Sequence, residues 1–172
     1  MFRLPHARLI AQAAALCACC LAAAVAAASG IADPAIDHWI AAHAKKLRSV
    51  EAAGARYAVT GDLDGDGRRD VAVLYTLQGT GEDRFLLRFL AAFRRGPHAL
   101  EYRAHALVGG RGMREVNRAT ILGRQVEIES LEFRHGDAAC CPTRFVKMRY
   151  RLNGRRLERV GGRPVSAPQA KK

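Results

Sequence analysis

Between Asp33 and Gly54 the apolar positions recur every three or four residues; beyond Gly54 they recur every two. The first stretch places Ile36, Ile40, His43, Leu47 and Val50 on one stripe with Trp39 beside it, which predicts an amphipathic helix. Asp33 is a favoured N-cap, Pro34 suits the first helical position, and Gly54 stands where a C′ glycine ends a helix. His43 on that stripe reads as a core-edge residue. His38 precedes it by five positions, a spacing that does not bring two imidazoles together on one helical face.

The period-two region predicts strands. Residues 56–60 and 71–75 bracket an acidic loop, and 78–83 read as a turn. Phe85, Leu87, Phe89 and Ala91 alternate within 84–95, and Gly96-Pro97 closes that segment, so it reads as a strand. Residues 99–108 and 115–122 follow. Val126, Ile128 and Ser130 alternate, then Leu131 and Phe133 shift by one, which predicts a bulge near Ser130. Val146, Met148, Tyr150 and Leu152 alternate with Phe145, Lys147, Arg149 and Arg151, and Asn153-Gly154 supplies a two-residue hairpin turn into 156–160. The product is an α+β domain over residues 29–161: one N-terminal helix packed on a curled, mainly antiparallel sheet of about seven strands. Residues 162–172 read as a disordered, polar, Pro-containing tail.

The segment before the helix changes the expected address. Arg3 and Arg8 precede an Ala-rich apolar run from Leu9 to Ala28, and Ala26-Ala27-Ala28 offers a small-x-small site before Ser29. Residues 1–28 therefore read as a secretory signal peptide, leaving no transmembrane span after processing. A retained membrane anchor is one alternative. Another is a lipoprotein acylated at Cys19, since Leu16-Cys17-Ala18-Cys19 loosely fits the acylation box. Each places the folded part in the periplasm or outside the cell.

The acidic loop carries the most specific chemistry. Asp62, Asp64, Asp66 and Asp70 occupy places one, three, five and nine, the carbonyl of Arg68 falls at place seven, and Gly65 and Gly67 permit a tight wrap. Calcium takes about six to eight oxygens at roughly 2.3–2.6 Å, which such a loop can aim at one point. An EF-hand would place a Glu at position twelve, here Val73. The pattern D-x-D-x-D-G-x-x-D instead resembles the calcium loop of FG-GAP (integrin-propeller-type) repeats, which lies between two strands. The resemblance implies a Ca2+ site on Asp62, Asp64, Asp66, Arg68 and Asp70. It covers one repeat of about twenty residues, and a propeller would need several. An acidic turn without an ion is the alternative; mutual repulsion of four carboxylates weighs against it.

After signal removal the remaining cysteines are Cys140 and Cys141. Export exposes them to an oxidising compartment, so a vicinal disulfide, two free thiols and an intermolecular bond all stand open. A zinc site from His135, Asp137, Cys140 and Cys141 is disfavoured, because zinc-binding cysteines are usually spaced two to four apart. Gly61-Asp62-Leu63 with Gly65-Asp66-Gly67, Asp70-Val71-Ala72-Val73 and Cys140-Cys141-Pro142-Thr143 resemble a group of bacterial exported proteins and lipoproteins. These read G-D-L-x-G-D-G-x-x-D-A-V-V and C-C-P-S. That resemblance implies export and carries no established activity.

The net charge of +12 is uneven. Residues 29–83 hold 6 basic and 9 acidic side chains, a balance of −3, whereas residues 84–172 hold 20 and 7, a balance of +13. Lys147, Arg149 and Arg151 share one strand face and form the candidate surface for an anionic partner, such as lipid headgroups or an envelope polymer. An Arg-rich solvated face is the plainer alternative. Aromatic residues are not interleaved with arginine, which argues against specific nucleic-acid recognition. The expected function is thus an exported, calcium-stabilised binding or structural module that is not an enzyme. The alternatives are a thiol-active envelope protein using Cys140 and Cys141, and a basic module for anionic polymers or lipids.

Overall fold

The computed structural model describes residues 31–81 and 85–161. The proposed signal peptide, with Cys17 and Cys19, and the proposed tail lie outside these residues.

The helix α1 (Pro34–Lys46) starts where the sequence places it: the Asp33 carboxylate accepts from the Ala35 N–H at 2.9 Å, and Pro34 opens the first turn. It stops well before Gly54. Leu47 donates back to Ala44, Arg48 turns left-handed at φ 50°, and the Ser49 hydroxyl donates to the Ala44 carbonyl at 3.1 Å. The chain then enters a short strand, so Val50 leaves the helical stripe and is exposed. Arg56 ties the two together, reaching Asp37 on α1 at 2.5 Å and Glu51 at 2.6 Å.

Nine antiparallel strands follow among the described residues: β1 (Ser49–Glu51), β2 (Tyr57–Gly61), β3 (Asp70–Gly79), β4 (Leu86–Arg95), β5 (Leu100–Gly110), β6 (Arg114–Leu122), β7 (Gln125–Glu132), β8 (Arg144–Asn153) and β9 (Arg156–Gly161). The domain is therefore α+β and mostly antiparallel sheet. The count exceeds the expected seven partly because β1 is three residues long and has no periodicity to read. Strands β3 to β9 pair in chain order, and β1 and β2 share the outer edge of β3. Only Gly110 and Arg114 pair between β5 and β6. The sheet bends there and brings β2 near β6 and β5 near β9. A Cβ on Gly109 would lie 2.7 Å from the Arg114 carbonyl, so the close approach at this corner requires glycine.

The bend gives β3 and β4 two buried faces. Val71, Val73, Tyr75, Phe89, Ala91 and Phe93 share a cluster with Ile36, Ile40 and Ala44 of α1. Ala72, Leu74, Leu90 and Ala92 face inward to Val116, Val126, Ile128 and Met148. Burial on both faces explains why 71–75 reads as an unbroken apolar run.

The bulge lies at Ser130 as expected, but its extra residue is on the partner strand: Val116 pairs with Ser130 and Arg118 with Glu129, which leaves Asn117 of β6 unpaired, while β7 pairs with β8 without interruption from Gln125 to Glu132. Ser130 and Glu132 continue the inward alternation of Val126 and Ile128. Glu132 occupies a core position because it is held by Arg114 and Arg144. A buried acid at an inward position mimicked a change of register. Among the described residues, no helix is long and apolar enough to cross a membrane.

Candidate metal centre

Gly61 pairs with Asp70, so residues 62–69 form the closed connection between β2 and β3. Asp70 is fully buried; its Oδ2 accepts from the Leu63 N–H at 2.9 Å and its Oδ1 from the Arg95 N–H at 2.8 Å. One carboxylate thus fastens the loop both to its own start and to the end of β4. Leu63, buried in the inner core, anchors the loop from the other side. Asp62 accepts from the N–H groups of Gly65 at 2.6 Å and Gly67 at 3.0 Å, and these glycines adopt φ of +87° and +82°. The wrap is therefore built by carboxylates folding the backbone around themselves.

Asp62, Asp64 and Asp70 each offer one oxygen, and the three oxygens lie within 4.8 Å of one another. Two ligands on opposite sides of a calcium ion at about 2.4 Å would be roughly 4.8 Å apart, so the trio fits a single hard cation. Asp66 stands outside this trio: its Oδ1 accepts from the Arg68 N–H at 2.8 Å and its Oδ2 lies 3.2 Å from Arg94. The Arg68 N–H and the Arg94 guanidinium hold the Asp66 carboxyl below the usual range. Arg68 is an exposed loop residue whose described contact is that amide.

Two arginines distant in sequence complete the loop. Arg94 approaches Asp64 at 2.8 Å, and Arg124, from the β6–β7 turn, donates to the Asp64 carbonyl. Any cation entering the trio competes with Arg94 for Asp64. Neither arginine carries a local sequence signal, because each arrives by strand pairing. Set against protein-family models, curated proteins and solved structures, the chain matches none of them.

The other candidate residues lie apart from this loop. Cys140 and Cys141 are joined to each other, with Cα atoms 3.8 Å apart, and both are exposed. Asp137 holds their loop closed, accepting from the Arg134 N–H at 2.6 Å, the Thr143 N–H at 3.0 Å and the Thr143 hydroxyl at 2.9 Å. The bridge consumes both thiolates, the ligands that a His135–Asp137–Cys140–Cys141 zinc site would need.

Lys147, Arg149 and Arg151 do line one exposed face of β8. Glu127 meets Lys147 at 2.8 Å and Arg149 at 3.1 Å, and Glu129 lies 3.4 Å from Lys147. The acids of β7 therefore neutralise much of the stripe. Arg144 turns to Glu132 instead of extending it.

Sequence reading also missed an aromatic cluster on the helix side. Trp39 stacks on Tyr102 at 4.3 Å between ring centroids, and His43 and His105 lie 4.6 Å apart. Each imidazole Nδ1 meets a tyrosine hydroxyl, His43 with Tyr75 at 2.7 Å and His105 with Tyr102 at 2.6 Å. Burial, then the neighbouring His105 and Lys46, lowers the His43 pKa to about 4.

Proposed function

We infer that the chain is an exported module that uses calcium to fix one end of its curled sheet, and that it acts by binding rather than by catalysis. The observation that supports this reading is the convergence of Asp62, Asp64 and Asp70, with the last of them a buried strand residue. A bound Ca2+ would supply the positive charge these carboxylates lack and draw Asp64 away from Arg94. Because Asp70 also holds the Arg95 amide, that gain is transmitted to the end of β4. Extracytoplasmic calcium at about 10⁻⁴–10⁻³ M is in the range that weak loop sites use.

The test is thermal unfolding in EDTA, in 10 mM magnesium and in 10 mM calcium. For a dissociation constant of about 10⁻⁴–10⁻³ M, mass action at ~10 mM calcium adds about 1.4–2.7 kcal/mol of stability. This corresponds to a rise of roughly 4–10 °C in a domain of this size. Magnesium should give little, and Asp64→Asn should remove the calcium increment. Superimposable melts in calcium and EDTA would sink the reading.

A second reading is favoured by the exposure of both cysteines: an external thiolate attacks one sulfur, the Cys140–Cys141 bond breaks, and a mixed disulfide forms.

A further inference from the structure

At the end of the sheet away from the aspartate loop, Thr76 of β3, the start of β4, the β5–β6 corner and the disulfide loop line a cleft of about 700 Å³. Small-molecule sites commonly measure roughly 300–1,000 Å³ and are mostly apolar. Leu86, Val116, Phe133, Ala139, Cys140 and Pro142 supply an apolar wall. The last three belong to the loop that Asp137 closes by bonding Arg134 and Thr143, so this side is formed in advance.

Among the described residues, Arg88 on the wall has no acidic partner. Arg88 of β4 lies opposite Thr76 of β3, on the same sheet face as Leu90 and Leu74, and both Arg88 and Thr76 line the cleft. One Arg88 terminal nitrogen donates to the Ala55 carbonyl at 2.6 Å and to the Thr76 hydroxyl at 2.8 Å, both neutral acceptors. Its Nε is shut off from solvent with no hydrogen-bond partner among the described residues. Burial lowers its guanidinium pKa, and no acid counters that shift. Arg114, on the same wall, differs in being paired with Glu132. A half-buried cation without counter-charge is a standing cost to the fold, and an anion that joins it relieves that cost.

We propose that this cleft binds an amphipathic carboxylate of the fatty-acid type, with its carboxylate on Arg88 and its chain along the wall of Leu86, Val116, Phe133 and the disulfide loop. With Nε covered and one terminal nitrogen already bonded, the other terminal nitrogen can give a carboxylate one charge-assisted hydrogen bond, and the largely apolar wall suits a hydrocarbon chain rather than a charged polymer. The site does not depend on the calcium reading.

The experiment is isothermal titration of the exported, processed protein with dodecanoate and with dodecan-1-ol, in EDTA so that calcium soaps do not form. Dodecanoate should bind one to one and at least about tenfold tighter than the alcohol, the increment of one charge-assisted hydrogen bond. Arg88→Met, which keeps the apolar stem, should bring that ratio to unity, and Arg149→Met should leave it unchanged. A purely structural Arg88 would alter the melting temperature of the Met variant and leave the ratio intact. If Arg88→Met does not fold, Ala139→Trp takes its place: by filling the cleft from the disulfide loop it should abolish dodecanoate binding in folded protein. No binding, equal binding of acid and alcohol, or dodecanoate binding that survives the informative variant overturns the proposal.

Discussion

His43 makes the stability of the helix side depend on pH in a direction that the structure determines. Its ring contacts Tyr75, Phe89, His105 and Trp39, and its Nδ1 meets the Tyr75 hydroxyl. Burial raises the Tyr75 pKa, so that hydroxyl stays protonated and pairs with the neutral imidazole in either tautomer. The folded His43 pKa is about 4 against an ordinary value of 6.5, so between these limits the unfolded chain binds the proton more readily. Stability is complete above pH 6.5 and falls as the pH drops toward 4. At pH 5 the linkage removes about 2 kcal/mol from a fully sequestered ring, and about 1 kcal/mol once the solvent exposure of His43 is allowed for. His105 is shifted the same way, chiefly by burial, and adds to the slope. Urea unfolding in EDTA at pH 7.5 and pH 5.0 measures the difference. His43→Gln retains a partner for Tyr75 and should lose about 1 kcal/mol less than wild type across that interval. Equal losses in the two proteins would show that His43 titrates at its ordinary value and that the packing argument is wrong.

Asp70→Ala leaves the Leu63 and Arg95 amides without their acceptor, so unfolding in calcium-free buffer should show a loss of about 2–4 kcal/mol; a change below about 0.5 kcal/mol would deny Asp70 its structural role. For the cysteines, the native protein should react with no thiol reagent until reduced, and Cys140→Ser should expose one reactive thiol at Cys141; two equivalents of label on unreduced protein would contradict the vicinal bridge.

Much of the local plan was legible in the sequence, because its determinants sit within a few residues of one another. Asp33 caps the helix by reaching two residues ahead, and the hairpin after β8 falls one residue from its expected place: Asn153 pairs with Arg156, so Gly154-Arg155 makes the turn, with Gly154 at φ 58°. The aspartate spacing foretold a carboxylate-wrapped loop for the same reason: Asp62, Asp64 and Asp66 fold their own backbone through contacts two to five residues long. Local pattern misled where a distant partner supplied the energy. The apolar stripe ran on to Val50, yet β3 draws Ser49–Glu51 onto its edge and ends the helix at Lys46. The bulge does fall at Ser130, yet its extra residue, Asn117, is on the neighbouring strand, and Arg114 and Arg144 keep Glu132 inside on β7. Which carboxylates of the loop converge was likewise settled from afar, because Asp70 closes the trio from within the sheet. The cleft beside Arg88 had no sequence signature at all, since its walls come from β4, the β5–β6 corner and the disulfide loop. Backbone conformation follows from near neighbours through hydrogen bonds that close short rings. Charge pairing and enclosure depend on which strands the sheet brings side by side, and that is decided only when the whole core packs.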